Sequence, residues 1–249
     1  MKIIALTPAH VGPAEIRRRQ ARYDSFSSTD CPVVVLDQPD EPGVPRSFDT
    51  PDLIRSADRC VVARARGLTL EPGDVLMPDC ILDTALETVR SGIPGHALGI
   101  LEITVSTLTG LGLRFGAVAR NQAVADALTR RIQDYHPGDL FVGTRILALP
   151  TEAVADAATW GAALRRHVDE LAAQGAECVI NGCSAVDVDS RGIPVIDPAR
   201  LAVRIVSTAA AAGLPLPPLP AGGDRGGPAG APRQPESHSR HPEVGPWER

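Results

Sequence analysis

Aromatic side chains are almost missing from this sequence: Phe, Tyr and Trp together make up 3% of its 249 residues. A core without them has to be packed from Val, Leu, Ile and Ala. Hydrophobic residues, at 43%, are plentiful enough to fill one large or two small domains. No run of about 18 apolar residues occurs, so no membrane span is expected. The opening Met1-Lys2-Ile3-Ile4-Ala5-Leu6 lacks the long apolar stretch of a secretory leader. It runs into Pro8, His10 and a cluster of arginines, and reads as a first strand. Paired cysteine motifs are also lacking. The five cysteines are odd in number and none stands in a Cys-x-x-Cys pair. Neither a disulfide framework nor a metal site is expected, and reduced thiols in the cytoplasm are the default. The net charge is −5, with arginines interspersed among acids rather than clustered, which argues against nucleic acid as a partner. There is no phosphate loop. Gly110-Leu111-Gly112 lacks the third glycine of a dinucleotide fingerprint and leads into a strand, not a helix.

What is present is one pattern written twice. The apolar run Val75-Leu76-Met77-Pro78 passes through Asp79 to Cys80, followed by Gly92-Ile93-Pro94 and a second apolar run, 97–101. Further on, Cys178-Val179-Ile180-Asn181 passes through Gly182 to Cys183 and Ser184, followed by Gly192-Ile193-Pro194 and Val195-Ile196-Asp197. Each copy reads as strand, cysteine, connection, Gly-Ile-Pro, strand. The repeat places one thiol in each half of the molecule.

The rest of the chain alternates. Strands are expected at 3–7, 32–37, 74–78, 96–101, 114–119, 144–149, 177–182 and 193–197. Helical patterns fall at 13–23, 51–68, 81–91, 121–135, 152–173 and 199–213, with Pro13 and Asn121 as start signals and Gly175 as a stop. Eight strands alternating with helices predict parallel α/β layers in two four-stranded halves, the last helix returning to the first half. Residues 38–50, rich in Pro, Asp and Gly, form a loop long enough to serve as a lid or binding loop. From 214 to 249 a Pro/Gly-rich tail is expected to be disordered.

Ligands of an open parallel sheet bind beyond the carboxyl ends of its strands. Cys80 and Cys183 both fall there, whereas Cys31, Cys60 and Cys178 read as small buried hydrophobes. A helix beginning just after each thiol would favour thiolate. Asp79 reads as a strand-end cap, or as a like charge that keeps Cys80 protonated. Two thiols facing each other across a cleft suit general acid–base chemistry: one removes a proton from a carbon acid and the other returns one to the opposite face. That chemistry requires no metal and no organic cofactor. Further candidates for holding a small-molecule substrate are His10 after the first strand, Ser184 with its hydroxyl, and Glu102 and Thr104 beyond the strand expected at 96–101.

These residues resemble the aspartate/glutamate racemase superfamily, and most closely its hydantoin racemase-like branch. Asn181-Gly182-Cys183-Ser184 is similar to the family's Leu-Gly-Cys-Thr/Ala, and Gly192-Ile193-Pro194-Val195-Ile196-Asp197 to its Gly-Val-Pro-Val-Ile-Asp. Cys80 sits where the family's first cysteine sits, and Leu6-Thr7-Pro8 where hydantoin racemases carry Asn-Pro-Asn. The resemblance spans about residues 1–212 and implies two pseudo-symmetric α/β domains with the active site in the cleft between them. The boundaries it suggests are 1–97 plus 198–213 for the first domain and 98–197 for the second. It also implies cofactor-independent inversion by Cys80 and Cys183, with Thr7, Pro8, Ile81 and Asn181 near the substrate, in a homo-oligomer. Glutamate racemases follow the first cysteine with Asn-Thr, which holds the amino-acid group. Here Ile81 and Leu82 stand in that place, and Thr7 replaces the Asn of the N-terminal motif. Two other readings stay open: a single-thiol isomerase or decarboxylase of the same fold, and a non-catalytic small-molecule-binding protein.

Overall fold

The computed structural model of the chain describes residues 1–93, 95–188 and 192–215. Pro94 of the first Gly-Ile-Pro and nearly all of the expected tail lie outside the described residues. The first sheet contains β1 (Ile3–Leu6), β2 (Val33–Leu36), β3 (Val75–Pro78) and β4 (His96–Ala97), in the spatial order β2-β1-β3-β4. The second contains β5 (Phe115–Ala119), β6 (Phe141–Ile146), β7 (Cys178–Asn181) and β8 (Val195–Ile196), in the order β6-β5-β7-β8. Every pairing between these eight strands is parallel. The two orders are the same order, so β3 and β7 hold equivalent places, and each leads to one of the two cysteines.

Parallel strands need covering on both faces, and the burial follows from that. Ile3, Ala5, Val75 and Met77 of the first sheet share one apolar cluster with Phe115, Ala117 and Ile180 of the second. The opposite face of the first sheet packs Ile4, Leu6 and Leu76 against Val61 and Ala65 of α2 (Pro51–Arg66). The opposite face of the second packs Val118 and Val179 against Trp160, Leu164 and Val168 of α6 (Ala157–Ala173). The shared cluster also takes Tyr23 of α1 (Pro13–Asp24), Leu101 of α4 (Ile100–Gly110), Leu128 of α5 (Gln122–Tyr135) and Val203 of α7 (Pro198–Ala211). Helix α7 lies against α4.

Several boundaries differ from expectation, each for a local reason. The strand expected at 96–101 stops at Ala97, and α4 begins at Ile100. Ile100 and Leu101 are buried on all sides, so their apolar run carries no period by which to tell helix from strand. The helix expected at 81–91 starts only at Leu86 (α3, Leu86–Gly92). Before it, Asp83 (φ 47°) and Ala85 (φ 58°) turn left-handed. That turn brings the Asp83 carboxylate onto the N–H groups of Leu101 (2.9 Å) and Glu102 (2.8 Å), capping α4. Gly99 permits the approach, since a Cβ there would lie 2.2 Å from Asp83 Oδ2. The helix expected at 152–173 divides into a 3₁₀ turn, Thr151–Ala155, and α6, because the Asp156 side chain caps the N–H groups of Ala158 and Thr159. Strand β6 begins at Phe141, three residues ahead of the expected 144, where its ring packs on Phe115.

Candidate active site

Both cysteine loops hang from the ends of their strands by internal hydrogen bonds. After β3 the Asp79 N–H donates to the Leu6 carbonyl at 2.8 Å, which holds the chain in line until Cys80. The Leu82 N–H then donates to Cys80 Sγ at 3.4 Å. After β7, Asn181 turns its side chain back under the loop. Its amide donates to the carbonyls of Cys183 (3.0 Å) and Val186 (3.2 Å), and its oxygen accepts from the Trp160 indole (2.9 Å). The Ala185 N–H faces Cys183 Sγ. Each thiol therefore meets the backbone N–H two residues further on, and the sequence repeat reappears as a repeat of site geometry. Gly182 is required at this bend: a Cβ on it would sit 1.8 Å from the Val118 carbonyl oxygen. No helix follows Cys183 directly, and α3 starts six residues after Cys80, so the expected helix-N-terminal stabilisation of thiolate is absent at both.

Cys80 and Cys183 line one cavity of about 400 Å³. Pro8, His10, Asp79, Ile81 and Ser184 line it too. The other expected residues do not reach it. Thr7 is buried behind the Pro8 turn, its hydroxyl donating to the Ala9 carbonyl (2.9 Å) and Asp37 Oδ1 (3.0 Å). Asn181 is buried beneath the Cys183 loop, where it shapes the loop instead of facing the cavity. Glu102 and Thr104 are carried away because α4 replaces the end of the expected strand. Glu102 pairs with Arg90, and Thr104 donates to the Ile100 carbonyl within the helix (2.8 Å).

Beneath the two thiols lies a charged network that the motif reading missed. Arg19 is 8% exposed, and it bonds Asp79 Oδ2 through Nη1 (2.9 Å) and Glu15 Oε1 through Nε (2.8 Å). The Tyr23 hydroxyl donates to Asp79 Oδ1 (2.7 Å), and the Ser184 side chain also bonds the Asp79 carboxylate. Burial works to raise the Asp79 carboxyl, but Arg19 and Tyr23 outweigh it and hold it below the usual carboxylate range. Glu15, opposed in the same way by Arg18 and Arg19, is also held low. One signal was available: Glu15, Arg19 and Tyr23 are spaced i, i+4, i+8, on one face of α1.

Burial pushes the Cys80 thiol up to about 12, with the nearby Asp79 and Cys183 charges adding to it against the Leu82 N–H and the Thr84 hydroxyl. Burial also raises Cys183, with the Asp79 charge adding to it, against the Ala185 N–H and the Arg19 and Arg22 guanidiniums. Both shifts run opposite to the lowering expected from helix N-termini, because desolvation dominates where no helix dipole is aimed at the sulfur.

The segment between β2 and α2 forms one wall of the cavity through Arg46, Ser47 and Phe48. It is tied to the second half at Asp49, which accepts from Arg120 Nη2 (2.6 Å) and Asn121 Nδ2 (3.2 Å). The remaining walls are largely apolar, with Leu82, Val124, Val154 and Trp160 among them. Each arginine lining the cavity already has a carboxylate: Arg19 has Glu15 and Asp79, Arg46 has Asp40, and Arg120 has Asp49. Among the described residues no three His, Cys, Asp or Glu side chains converge as metal ligands, and no helix is long and apolar enough to cross a membrane.

The Asp/Glu/Hydantoin racemase family profile matches residues 18–206, and the chain belongs to that family. Among solved structures it is similar to the allantoin racemase of Pseudomonas fluorescens, with 16% identity, 87% of this chain and 94% of that one covered, and a TM-score of 0.72. The allantoin racemase of Klebsiella pneumoniae gives 18% identity, coverage of 87% and 90%, and a TM-score of 0.69. A liganded mutant of arylmalonate decarboxylase gives 17% identity, coverage of 88% and 96%, and a TM-score of 0.56. At such identities the likeness is one of fold. A search of curated proteins returns no match.

Proposed function

We propose that the chain is a cofactor-independent racemase or epimerase that inverts a carbon-acid stereocentre by proton transfer between Cys183 and Cys80. The observation that carries this reading is the pair of thiols, borne on equivalent strand ends and lining one cavity. In one direction the Cys183 thiolate takes the proton from the stereocentre. The electron pair left behind is delocalised into the adjoining carbonyl, and the Cys80 thiol gives its proton to the opposite face. The enzyme is left with a Cys183 thiol and a Cys80 thiolate, which is the form that runs the reverse reaction.

The substrate in this reading is an uncharged carbon acid with an apolar substituent, such as a 5-substituted hydantoin, and not a free amino acid. Arg19, the buried guanidinium among the lining arginines, is already held by Glu15 and Asp79, and Ile81 and Leu82 offer a carboxylate no polar side chain. The test is a matched trio with one side chain: the hydantoin, its ring-opened N-carbamoyl amino acid and the free amino acid, each as single enantiomers in deuterium oxide. Deuterium incorporation with inversion is expected for the hydantoin alone. No deuterium at the stereocentre of any of the three counts against the racemase reading, while exchange confined to the anions counts only against the substrate class.

A single-thiol decarboxylase or isomerase is the second reading, favoured by the deep burial of Cys80, which is 6% exposed. Loss of activity in Cys183→Ser but not in Cys80→Ser would select it.

A further inference from the structure

Glu15 lines the cavity, yet the proton-transfer scheme gives it no role. It stands three and four residues ahead of Arg18 and Arg19 on α1, the spacing of ordinary helix-surface ion pairs. Here both guanidiniums carry on past the carboxylate. Arg18 bonds Glu15 through Nε and Nη2 (2.7 Å each), and the same Nη2 donates to the Ala185 carbonyl (2.8 Å) in the Cys183 loop. Arg19 bonds Glu15 through Nε (2.8 Å), and its Nη1 donates to Asp79 (2.9 Å), the residue before Cys80. Adjacent residues leave a helix about 100° apart, which lets the two arms diverge to two loops. The arms meet at one atom, Glu15 Oε1, which accepts from Arg18 Nη2 and from Arg19 Nε. Beyond each arm the chain runs directly to sulfur: the Ala185 N–H faces Cys183 Sγ, and Asp79 is joined by one peptide bond to Cys80.

We propose that Glu15 is the positioning residue that fixes the separation of the two thiols, by holding Arg18 on one cysteine loop and Arg19 on the other. The inference rests on the two-thiol reading, in which inversion needs a donor and an acceptor on opposite faces of one carbon. An arginine arm is long and rich in rotamers, so a bond at its tip alone lets the loop shift with it. A charge-assisted bond to Glu15 at the guanidinium of each arm removes that freedom and ties the arms to each other. The Cys80 side has a further support from α1, since the Tyr23 hydroxyl donates to Asp79 Oδ1 (2.7 Å). On the Cys183 side, Arg22 holds the chain further on, at Asp187 and Asp197. The arm through Arg18 to Ala185 is therefore the one that gives when Glu15 is lost.

The test reads the thiol pair directly, in the whole chain without substrate. Dibromobimane crosslinks two thiols that lie within its reach, and monobromobimane labels each thiol singly. Labelling is carried to completion at alkaline pH, since burial raises both thiols. The ratio of crosslink to single label scores the pair, with Cys80→Ser and Cys183→Ser as blanks. Glu15→Ala should lower the ratio severalfold while each thiol still takes monobromobimane, and Arg18→Met should do the same. The double variant should be little worse than either single one, because the two residues act as a unit. In turnover, kcat should fall about 10²-fold, the effect of a misplacement of about 1 Å, with KM little changed. A ratio unmoved in folded Glu15→Ala overturns the inference, and so does a wild type that takes the single label at both thiols without crosslinking. A rise in KM at constant kcat overturns it too, because Glu15 would then be a substrate contact. If Glu15→Ala does not fold, Arg18→Met, whose side chain is 34% exposed, decides by the same ratio. Crosslinking does not depend on turnover. A chain that loses its crosslink in Glu15→Ala but racemises nothing keeps the role of Glu15 and loses the proposed function; racemisation with the crosslink intact in Glu15→Ala does the reverse.

Discussion

Burial and the Asp79 charge oppose ionisation of both thiols, while Arg19 and Arg22 favour it at Cys183. Replacing either thiol by Ser leaves a far weaker acid and base in nearly the same volume. Two-way racemisation should fall by about 10²–10⁴-fold in each single variant. The surviving thiolate can still remove and return a proton on its own face. Cys80→Ser and Cys183→Ser are therefore expected to exchange the α-proton of opposite enantiomers, and the double variant to be little worse than the worse single one. Loss of the same enantiomer from both would rule out the two-thiol scheme. The pH profile follows from the same groups. The base must be thiolate, and burial raises Cys183 above the ordinary thiol value of about 8.5. kcat/KM should then climb with pH through neutrality, falling about tenfold for each unit below its midpoint, and that midpoint should be alkaline. Because the equilibrium constant of a racemisation is one, both enantiomers must follow the same kcat/KM profile. A midpoint near or below neutrality would show that some group lowers the Cys183 thiol more than Arg19 does.

At the scale of elements, the turns that carry the site set its tolerance to change. Gly182→Ala would drive a methyl into the Val118 carbonyl, so β5 and β7 would have to separate at the base of the Cys183 loop. A loss of at least about 1–3 kcal/mol in stability is expected, together with most of the activity, read by thermal melting and by the exchange assay. A full-rate, fully stable Gly182→Ala protein would mean that the loop is not held as described. The Asp49 tie makes a different prediction. Asp49 is about half exposed, so its pair with Arg120 contributes on the order of 1 kcal/mol or less to stability. Asp49→Ala should therefore barely change the melting temperature. It should raise KM severalfold and speed hydrogen exchange at 44–48, because Arg46, Ser47 and Phe48 lose their hold on the far side of the cavity. These elements also show how far the sequence could be read. The repeat identified β3 and β7 because strand, cysteine and Gly-Ile-Pro follow one another in the chain. Asp83, which caps α4 from eighteen residues away, has no such local signature. Without it the run at 97–101 reads as strand, and Glu102 and Thr104 are carried to a cleft they do not reach. Arg19 was hidden for the opposite reason: an Arg-rich helix reads as a solvated face, and only the end of β3 in three dimensions supplies the partner that buries it.

At the scale of the whole molecule, two similar sheets could in principle melt separately, but the contacts between them argue for a single transition. Their facing sides share one apolar cluster, with Ile3, Ala5 and Met77 from one and Phe115, Ala117 and Ile180 from the other, all fully buried. Helix α1, which follows the first strand of the first sheet, bonds the Cys183 loop of the second. Arg18 donates to the Ala185 carbonyl (2.8 Å), and Arg22 pairs with Asp187 and Asp197. In the other direction, Tyr135 at the end of α5 donates to Asp83 in the turn after Cys80 (2.9 Å). Unfolding either half alone would expose the shared cluster and strand Arg22, which is 6% exposed, without its carboxylates. Burying one Leu, Ile or Phe side chain is worth about 1.5–3 kcal/mol. Several such residues at the shared face amount to a penalty comparable to the whole stability of an ordinary domain, about 5–15 kcal/mol. Scanning calorimetry should accordingly give one peak, with calorimetric and van't Hoff enthalpies in agreement. Arg22→Met should lower its temperature without splitting it, since the apolar cluster still joins the sheets. Two resolved peaks in the wild type would mean that the sheets fold as separate units, and the two thiols would then depend on docking, not on a common core, to meet across the cavity.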